Sequence, residues 1–261
     1  MERQTFSVFG SPIDVIDWRE AISRIADWAA AKESRYVCIC NAHSVVTATD
    51  DAAFAAAVQQ ADMATPDGAP VAWLIGRQTG LAQQRINGPD LMRRYLAEGA
   101  RHGGPIFLYG ATEETLQILR TRVAGAFPDI QIAGTYSPPF RPLTADEDEQ
   151  VVEMINSSGA TTVWVSLGCP KQEKWMAVHR DRVRAVMIGV GAAFDYHAGT
   201  IKRAPLWMQK NGLEWLHRLA SEPRRLWKRY LVTNSLFIFL ALRQLLSGAP
   251  AIRTLDEDRI E

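Results

Sequence analysis

Apolar residues in this chain recur with two periods, and the alternation between them predicts the architecture. Residues 5–9 and 12–16 alternate polar and apolar on either side of Gly10-Ser11, the pattern of a small hairpin. Trp18, Ile22, Ile25 and Trp28 then fall at three- and four-residue spacing, which predicts a helix. Residues 36–40 form a short β-branched run of the kind buried on both faces of a sheet. An alanine-rich stretch predicts one helix over 44–60, followed by a strand over 61–65.

The middle of the chain repeats the alternation. Strands are predicted over 105–110, 130–136, 161–167 and 183–190. Between them lie a helix from a Thr112 cap to residue 127, a helix over 144–157 and a helix opened by Pro170. Strands separated by helices of ten or more residues imply crossover units and a mainly parallel sheet, so the fold class is α/β with helices on both faces. In such sheets the ligand crevice lies beyond the carboxyl ends of the strands. Asn41, Asp67, Gly110, residues 136–139, residues 168–173 and residues 191–195 occupy those ends, so several polar groups converge on one rim.

The last fifth changes character. From Gly199 onward basic and aromatic residues interleave, and a helix is predicted from Pro223 toward Leu246, with seven apolar residues in succession over 236–242. That run is too short for a span of about 20 residues. Basic residues and Trp/Tyr beside an apolar face suit a helix lying at a membrane interface, and a core helix suits the same composition. The divisions expected are 1–198 for the α/β domain, 199–248 for a helical appendage and 249–261 for a flexible tail.

Composition sharpens this picture. The 261 residues carry zero formal net charge, yet residues 1–70 hold ten acidic and five basic residues while 199–229 hold eight basic and two acidic. An anionic partner is expected near the C-terminal part, a phospholipid surface before nucleic acid, for which no binding module is present. Three cysteines, two of them inside an apolar strand, argue against a disulfide framework and for a reducing compartment. The N-terminus lacks the apolar core of a signal peptide, and the expected location is cytoplasmic. No metal-ligand spacing occurs, and Asp146-Glu147-Asp148 opens a helix rather than ending a strand, so neither a cofactor nor an essential divalent metal is expected.

Pro66-Asp67-Gly68 poses the main question. Pro presets φ, Asp bonds its own backbone and Gly accepts positive φ, which makes a tight corner. The same carboxylate stands where the crevice of a parallel sheet would place chemistry.

Four segments bear on that choice. They are Asn41 with Pro66-Asp67-Gly68, then Arg85-Ile86-Asn87-Gly88-Pro89-Asp90, then Gly168-Cys169-Pro170-Lys171-Gln172-Glu173-Lys174-Trp175. The fourth is Gly189-Val190-Gly191-Ala192-Ala193-Phe194-Asp195, continued by Gly199, Arg203-Ala204-Pro205 and Glu214-Trp215-Leu216-His217-Arg218-Leu219. Each is weak alone. In this order, over roughly residues 5–246, they resemble the WecG/TagA/CpsF glycosyltransferases, glycosyltransferase family 26.

The resemblance implies a Rossmann-like α/β domain with a C-terminal appendage that meets the cytoplasmic face of the bacterial inner membrane. It implies transfer of a sugar from a UDP-sugar to a polyprenyl-diphosphate-linked saccharide in exopolysaccharide, capsule or cell-wall polymer synthesis. By resemblance Asp67 matches the catalytic base and Arg85 an arginine near the site. A guanidinium there neutralises a diphosphate bidentately, although Arg85 lies in a polar loop where a surface role also fits.

Asn41 would position the sugar or a phosphate, or cap the next helix. Gln172, just inside the helix opened by Pro170, is expected to help bind UDP, while Glu173 is left out of catalysis. Asp195 would hold ribose hydroxyls, or pin the loop at Gly199. Gly189 and Gly191 would let backbone approach the nucleotide, and Gly110 belongs to the same rim. Arg218, Arg225 and Lys228 match basic positions near a diphosphate, and attraction to anionic headgroups explains them equally well.

One departure is Ile39, where the family often carries threonine, and it bears on donor identity. The alternative to an enzyme is a non-catalytic, nucleotide-sugar-binding scaffold of a membrane polysaccharide assembly. A dinucleotide-dependent oxidoreductase is disfavoured, since no Gly-x-Gly-x-x-Gly opens a helix after the first strand. Apolar helix faces would permit homo-oligomers.

Overall fold

The computed structural model describes residues 2–99, 104–248 and 252–255. Its centre is a six-stranded, all-parallel sheet built from β3 (Arg35–Cys40), β4 (Met63–Pro66), β5 (Ile106–Gly110), β6 (Ile132–Tyr136), β7 (Thr162–Ser166) and β8 (Val186–Gly189), in the order β4-β3-β8-β7-β5-β6. Side chains alternate across it: in β3, Tyr36, Cys38 and Cys40 enter one core, and Val37 and Ile39 enter the other. Both faces are therefore covered, as a parallel sheet requires.

One face is packed by α2 (Ala42–Thr47), α3 (Ala52–Gln59), α4 (Ala69–Thr79), α7 (Ala145–Ser157) and α8 (Lys171–His179). The other is packed by α1 (Trp18–Ala30), α5 (Gly88–Gly99), α6 (Glu113–Ala126) and α9 (Ala193–Ala198). The hairpin forms as β1 (Arg3–Val8) and β2 (Ser11–Asp14). Chain direction after β5 and β7 diverges, toward β6 on one side and β8 on the other, which opens a crevice at their carboxyl ends.

Two expectations need correction. The alanine-rich segment is two helices, because Asp51 caps α3 by accepting from Phe54 N at 3.0 Å and the Thr49 hydroxyl turns back to Val46 O at 2.7 Å. The expected flexible tail contains β9 (Arg253–Leu255), which pairs antiparallel with the open edge of β1. Residues 249–251 and 256–261 of that expectation lie outside the described residues.

Beyond α9 come α10 (Leu206–Lys210), α11 (Glu214–Ser221) and α12 (Pro223–Leu246). Leu226, Thr233, Phe237 and Ala241 form a buried stripe on α12, and Phe237 and Ala241 join the main core. Phe237 meets Phe9 edge-on at 5.2 Å. Gln244 bonds Phe9 N, Ser7 O and the Gln78 side chain at 2.8–3.0 Å, so the end of α12 is fastened to β1 and α4.

Candidate active site

The corner at Pro66-Asp67-Gly68 serves sheet and site together. Asp67 N continues the parallel ladder to Cys40 O at 2.9 Å, Gly68 turns the chain at φ 78°, and α4 starts with Pro70 in its first turn. The Asp67 carboxylate is left half-buried on the rim, hydrogen-bonded to the Asn41 side chain, with Arg85 and Glu214 as charged neighbours. Burial and the Glu214 charge push its pKa up to about 6, against the opposing pull of Arg85, Asn41 and the Gly68 backbone. Of the two roles expected of it, Asn41 fills the helix-capping one. Its Oδ1 caps α2 by accepting from His43 N at 2.9 Å and Ser44 N at 3.2 Å, and the same side chain bonds Asp67.

The Arg85 loop is anchored to the same strand end, with Ile86 N donating to Pro66 O at 2.7 Å and the Thr65 hydroxyl to Ile86 O at 3.2 Å. Arg85 donates to Glu214 of α11 at 2.5 Å. Glu214 also pairs with Arg203 at 3.4 Å, and Arg203 grips Asp90 bidentately at 2.7 and 2.8 Å. Asn87 joins this chain by donating to Asp90 at 2.8 Å. Although burial raises it, the Asp90 carboxyl is pulled down to about 2 by Arg203 and Asn87. Alternating charges thus run from Asp67 through Arg85, Glu214 and Arg203 to Asp90, and tie the appendage to the strand-end loops.

Sequence reasoning quoted Asp90, Arg203 and Glu214 in motifs but gave them no role. The signal available was the bare coincidence of charged residues in three segments otherwise rich in Gly, Pro and apolar residues.

Gln172 and the glycines meet one another more than open space. Gln172 is only 4% exposed; its Oε1 accepts from Gly168 N at 3.2 Å and Gly191 N at 3.1 Å, and its Nε2 donates to Glu173 at 2.9 Å. It therefore latches the loops after β7 and β8 from beneath, instead of presenting its amide to the crevice. A Cβ on Gly189 would strike Met176 Cε at 2.7 Å and Gln172 Nε2 at 3.0 Å, so Gly189 lets α8 pack on β8. Gly110 has φ 111°, and a Cβ there would run into the Ser166 backbone between two strand ends. Gly191, at φ 53°, receives the Gln172 amide. Glu173 is 1% exposed, and its Oε2 has no partner. Burial raises its pKa to about 7 against hydrogen bonds from Gln172, its own backbone and Cys169.

The remaining candidates have partners outside the Asp67 group. Asp195 accepts from the Thr200 hydroxyl at 3.3 Å, the loop-pinning arrangement. Arg218 donates to Tyr196 Oη at 2.9 Å and pairs with Glu222 at 3.3 Å, holding α11 against α9. Arg225 pairs with Glu222 at 2.8 Å, and Lys228 lies 5.5 Å from the Trp227 ring centroid; both are exposed on α12. Among the described residues, no group of three or more His, Cys, Asp or Glu could hold a metal ion.

A half-buried carboxylate with a raised pKa, beside an arginine at the carboxyl edge of a parallel sheet, is equipped to take a proton next to an anionic leaving group. The family model described as "Glycosyl transferase WecG/TagA/CpsF family" matches residues 6–250, nearly the whole chain. On that match, the chain belongs to the WecG/TagA/CpsF family of glycosyl transferases.

Proposed function

We propose that this glycosyl transferase is a metal-independent, inverting enzyme. It moves a sugar from a UDP-sugar to a hydroxyl of a polyprenyl-diphosphate-linked saccharide, in bacterial exopolysaccharide, capsule or cell-wall polymer synthesis. The observation that carries this reading is the Asp67 carboxylate, half-buried on the rim and bounded by Asn41, Arg85 and Glu214.

In the proposed step the acceptor oxygen attacks the anomeric carbon from the face opposite the diphosphate. The new glycosidic C–O bond forms as the bond to the diphosphate oxygen breaks, and UDP leaves with that electron pair. Asp67 takes the hydroxyl proton, and with a pKa of about 6 most of it is ionised at pH 7. Single displacement inverts the anomeric centre. Arg85 balances the charge on the departing diphosphate, which requires Glu214 to yield or share the guanidinium.

The membrane part of the proposal rests on α12. Its face opposite the buried stripe exposes Leu231, Val232, Ile238, Phe239, Leu242 and Leu246, and its first turns carry Arg224, Arg225 and Lys228. No helix among the described residues is long and apolar enough to cross a membrane. Such a helix suits the plane of an anionic interface.

The test is a turnover screen of UDP-sugars with a polyprenyl-diphosphate-linked sugar acceptor. Asp67→Asn is expected to lower turnover by roughly 10²–10⁴, the worth of a general base, with the UDP-induced thermal shift retained. Undiminished turnover in that variant removes Asp67 from the mechanism.

A further inference from the structure

A groove of about 710 Å³ opens beside Arg85, on the flank of α4. One stripe of α4 builds its floor and rim: Ala69, Ala72, Trp73, Gly76 and Arg77 recur at helical spacing. The small residues of that stripe make the concavity. Trp73, 55% exposed, stands over it. The opposite wall carries Trp18 with Arg94 stacked on it, the guanidinium 4.4 Å from the ring centroid, and Lys210 of α10.

Protein contacts hold this wall in place. Gln83 bonds Ile16 N and Ile16 O at 3.2 and 2.8 Å, and Leu81 O lies so close to Gly76 that a Cβ there would meet it at 2.9 Å. The groove is open to solvent, and its lining mixes two tryptophans with polar and charged side chains, Asp90 among them.

Its charge is the informative feature. Among the described residues, Arg77, Arg94 and Lys210 have no carboxylate partner, and Arg94 Nε is buried with nothing bonded to it. Elsewhere on this rim arginines are paired: Arg85 with Glu214, Arg203 with Asp90, Arg218 with Glu222. Cations without a carboxylate partner beside the exposed Trp73 ring match a ligand that has an anionic group and a sugar ring, since rings present apolar C–H faces to tryptophan and phosphates take charge-assisted hydrogen bonds.

Position selects which phosphorylated sugar. The stripe begins at Ala69, two residues past Asp67, and reaches Arg77 about 12 Å further along the helix at 1.5 Å per residue. Arg85, a charged neighbour of Asp67, lines the groove, so a ligand lying in it would reach the arginine beside the proposed base.

We propose that this groove holds the phosphorylated saccharide of the acceptor, with Trp73 against a sugar ring and Arg77, Arg94 and Lys210 around the phosphate. The inference rests on the glycosyl-transfer reading above and adds a separate acceptor subsite.

Two arms test it on the full chain. In the first, the 1-phosphates of glucose, galactose and N-acetylglucosamine are titrated against tryptophan fluorescence. At least one is expected to bind, UDP in excess is expected not to displace it, and Asp67→Asn is expected to leave it unchanged. Arg77→Ala, which removes an exposed and unpaired side chain, should weaken it roughly tenfold, as for a lost hydrogen bond to a charged group. Binding that survives Arg77→Ala with Trp73→Ala, or that UDP displaces, overturns the proposal, as does no binding of any probe.

In the second arm, the same pair of substitutions should raise the acceptor KM and leave the donor KM and UDP-sugar hydrolysis unchanged. A rise in donor KM instead assigns the groove to the donor and overturns the acceptor subsite. Should no donor be turned over at all, the glycosyl-transfer reading fails, while the titration still decides whether the groove takes sugar phosphates.

Discussion

Asp67 holds its position through the residues that flank it: Pro66 closes the strand, Gly68 turns the chain, and the carboxylate between them is carried onto the rim. Its titration is set by neighbours of opposite sign. Ionisation must precede proton transfer, so kcat/KM should fall about tenfold per pH unit below pH about 6. Glu214→Gln removes a charge that raises the Asp67 pKa and should move this acid limb to lower pH; Arg85→Met removes one that lowers it and should move the limb up. Limbs that stay in place in both variants would mean that another group governs the profile.

Glu173 supplies a second residue-scale prediction. Its folded pKa of about 7 lies above the ordinary value of 4.5, so the native state keeps a proton that the unfolded chain has lost. Stability from this group is complete below pH 4.5 and is lost as pH climbs through about 7, an effect of about 3 kcal/mol at 1.36 kcal/mol per unit. Glu173→Gln keeps an acceptor for Gln172 and should flatten the dependence of Tm on pH between 5 and 8. An unaltered slope would assign the pH dependence to other groups.

At the scale of elements, α8 shows how helix packing shapes the rim. Gln172 reaches from its first turn to two strand-end loops, and Gly189 leaves the room that this approach needs. Gln172→Leu would leave Gly168 N and Glu173 without this partner, and Gly191 N with Val165 O alone at 3.3 Å. Each such buried group costs about 1–3 kcal/mol, and 1 kcal/mol lowers Tm by roughly 2–4 °C in a chain of this size. A Tm drop of several degrees with weaker UDP binding, read by thermal shift and calorimetry, is expected; an unchanged Tm would mean that the latch is dispensable.

The strands other than β9 and the helices α1, α6, α7 and α12 are legible from residue spacing, and so are the Thr112 and Thr144 ends. The helices α4 and α5 are not legible there, because Gly76 within one and the polar loop before the other interrupt the apolar period. The Asp67 corner is legible because Pro66 and Gly68 mark it, whereas Arg85 stands out only through the family resemblance. The reach of Gln172 beneath the rim is not legible, since an amide that bonds two distant backbones leaves no local pattern.

One long helix carries both the basic residues of its first turns and a run of exposed apolar side chains further along, on the side away from its buried stripe. The end of α12 is fixed to β1 and α4 through Gln244, and Phe237 and Ala241 enter the core, so the appendage is anchored while its other face stays uncovered. Ile238 and Phe239 are 59% and 62% exposed, and moving such side chains out of water is worth about 1.5–3 kcal/mol each when complete. Arg224, Arg225 and Lys228 add about 1 kcal/mol apiece near an anionic surface.

The chain should therefore sediment with vesicles containing phosphatidylglycerol, more weakly as salt rises, and hardly at all with phosphatidylcholine alone. Ile238→Glu with Phe239→Glu should cut that binding at least tenfold, since about 1.4 kcal/mol suffices for a factor of ten. Tm should hold, because neither side chain belongs to the buried stripe. Sedimentation equal to that of the unaltered chain would mean that this face of α12 does not meet the bilayer. Loss of binding with UDP-sugar hydrolysis intact would separate membrane docking from the chemistry at Asp67.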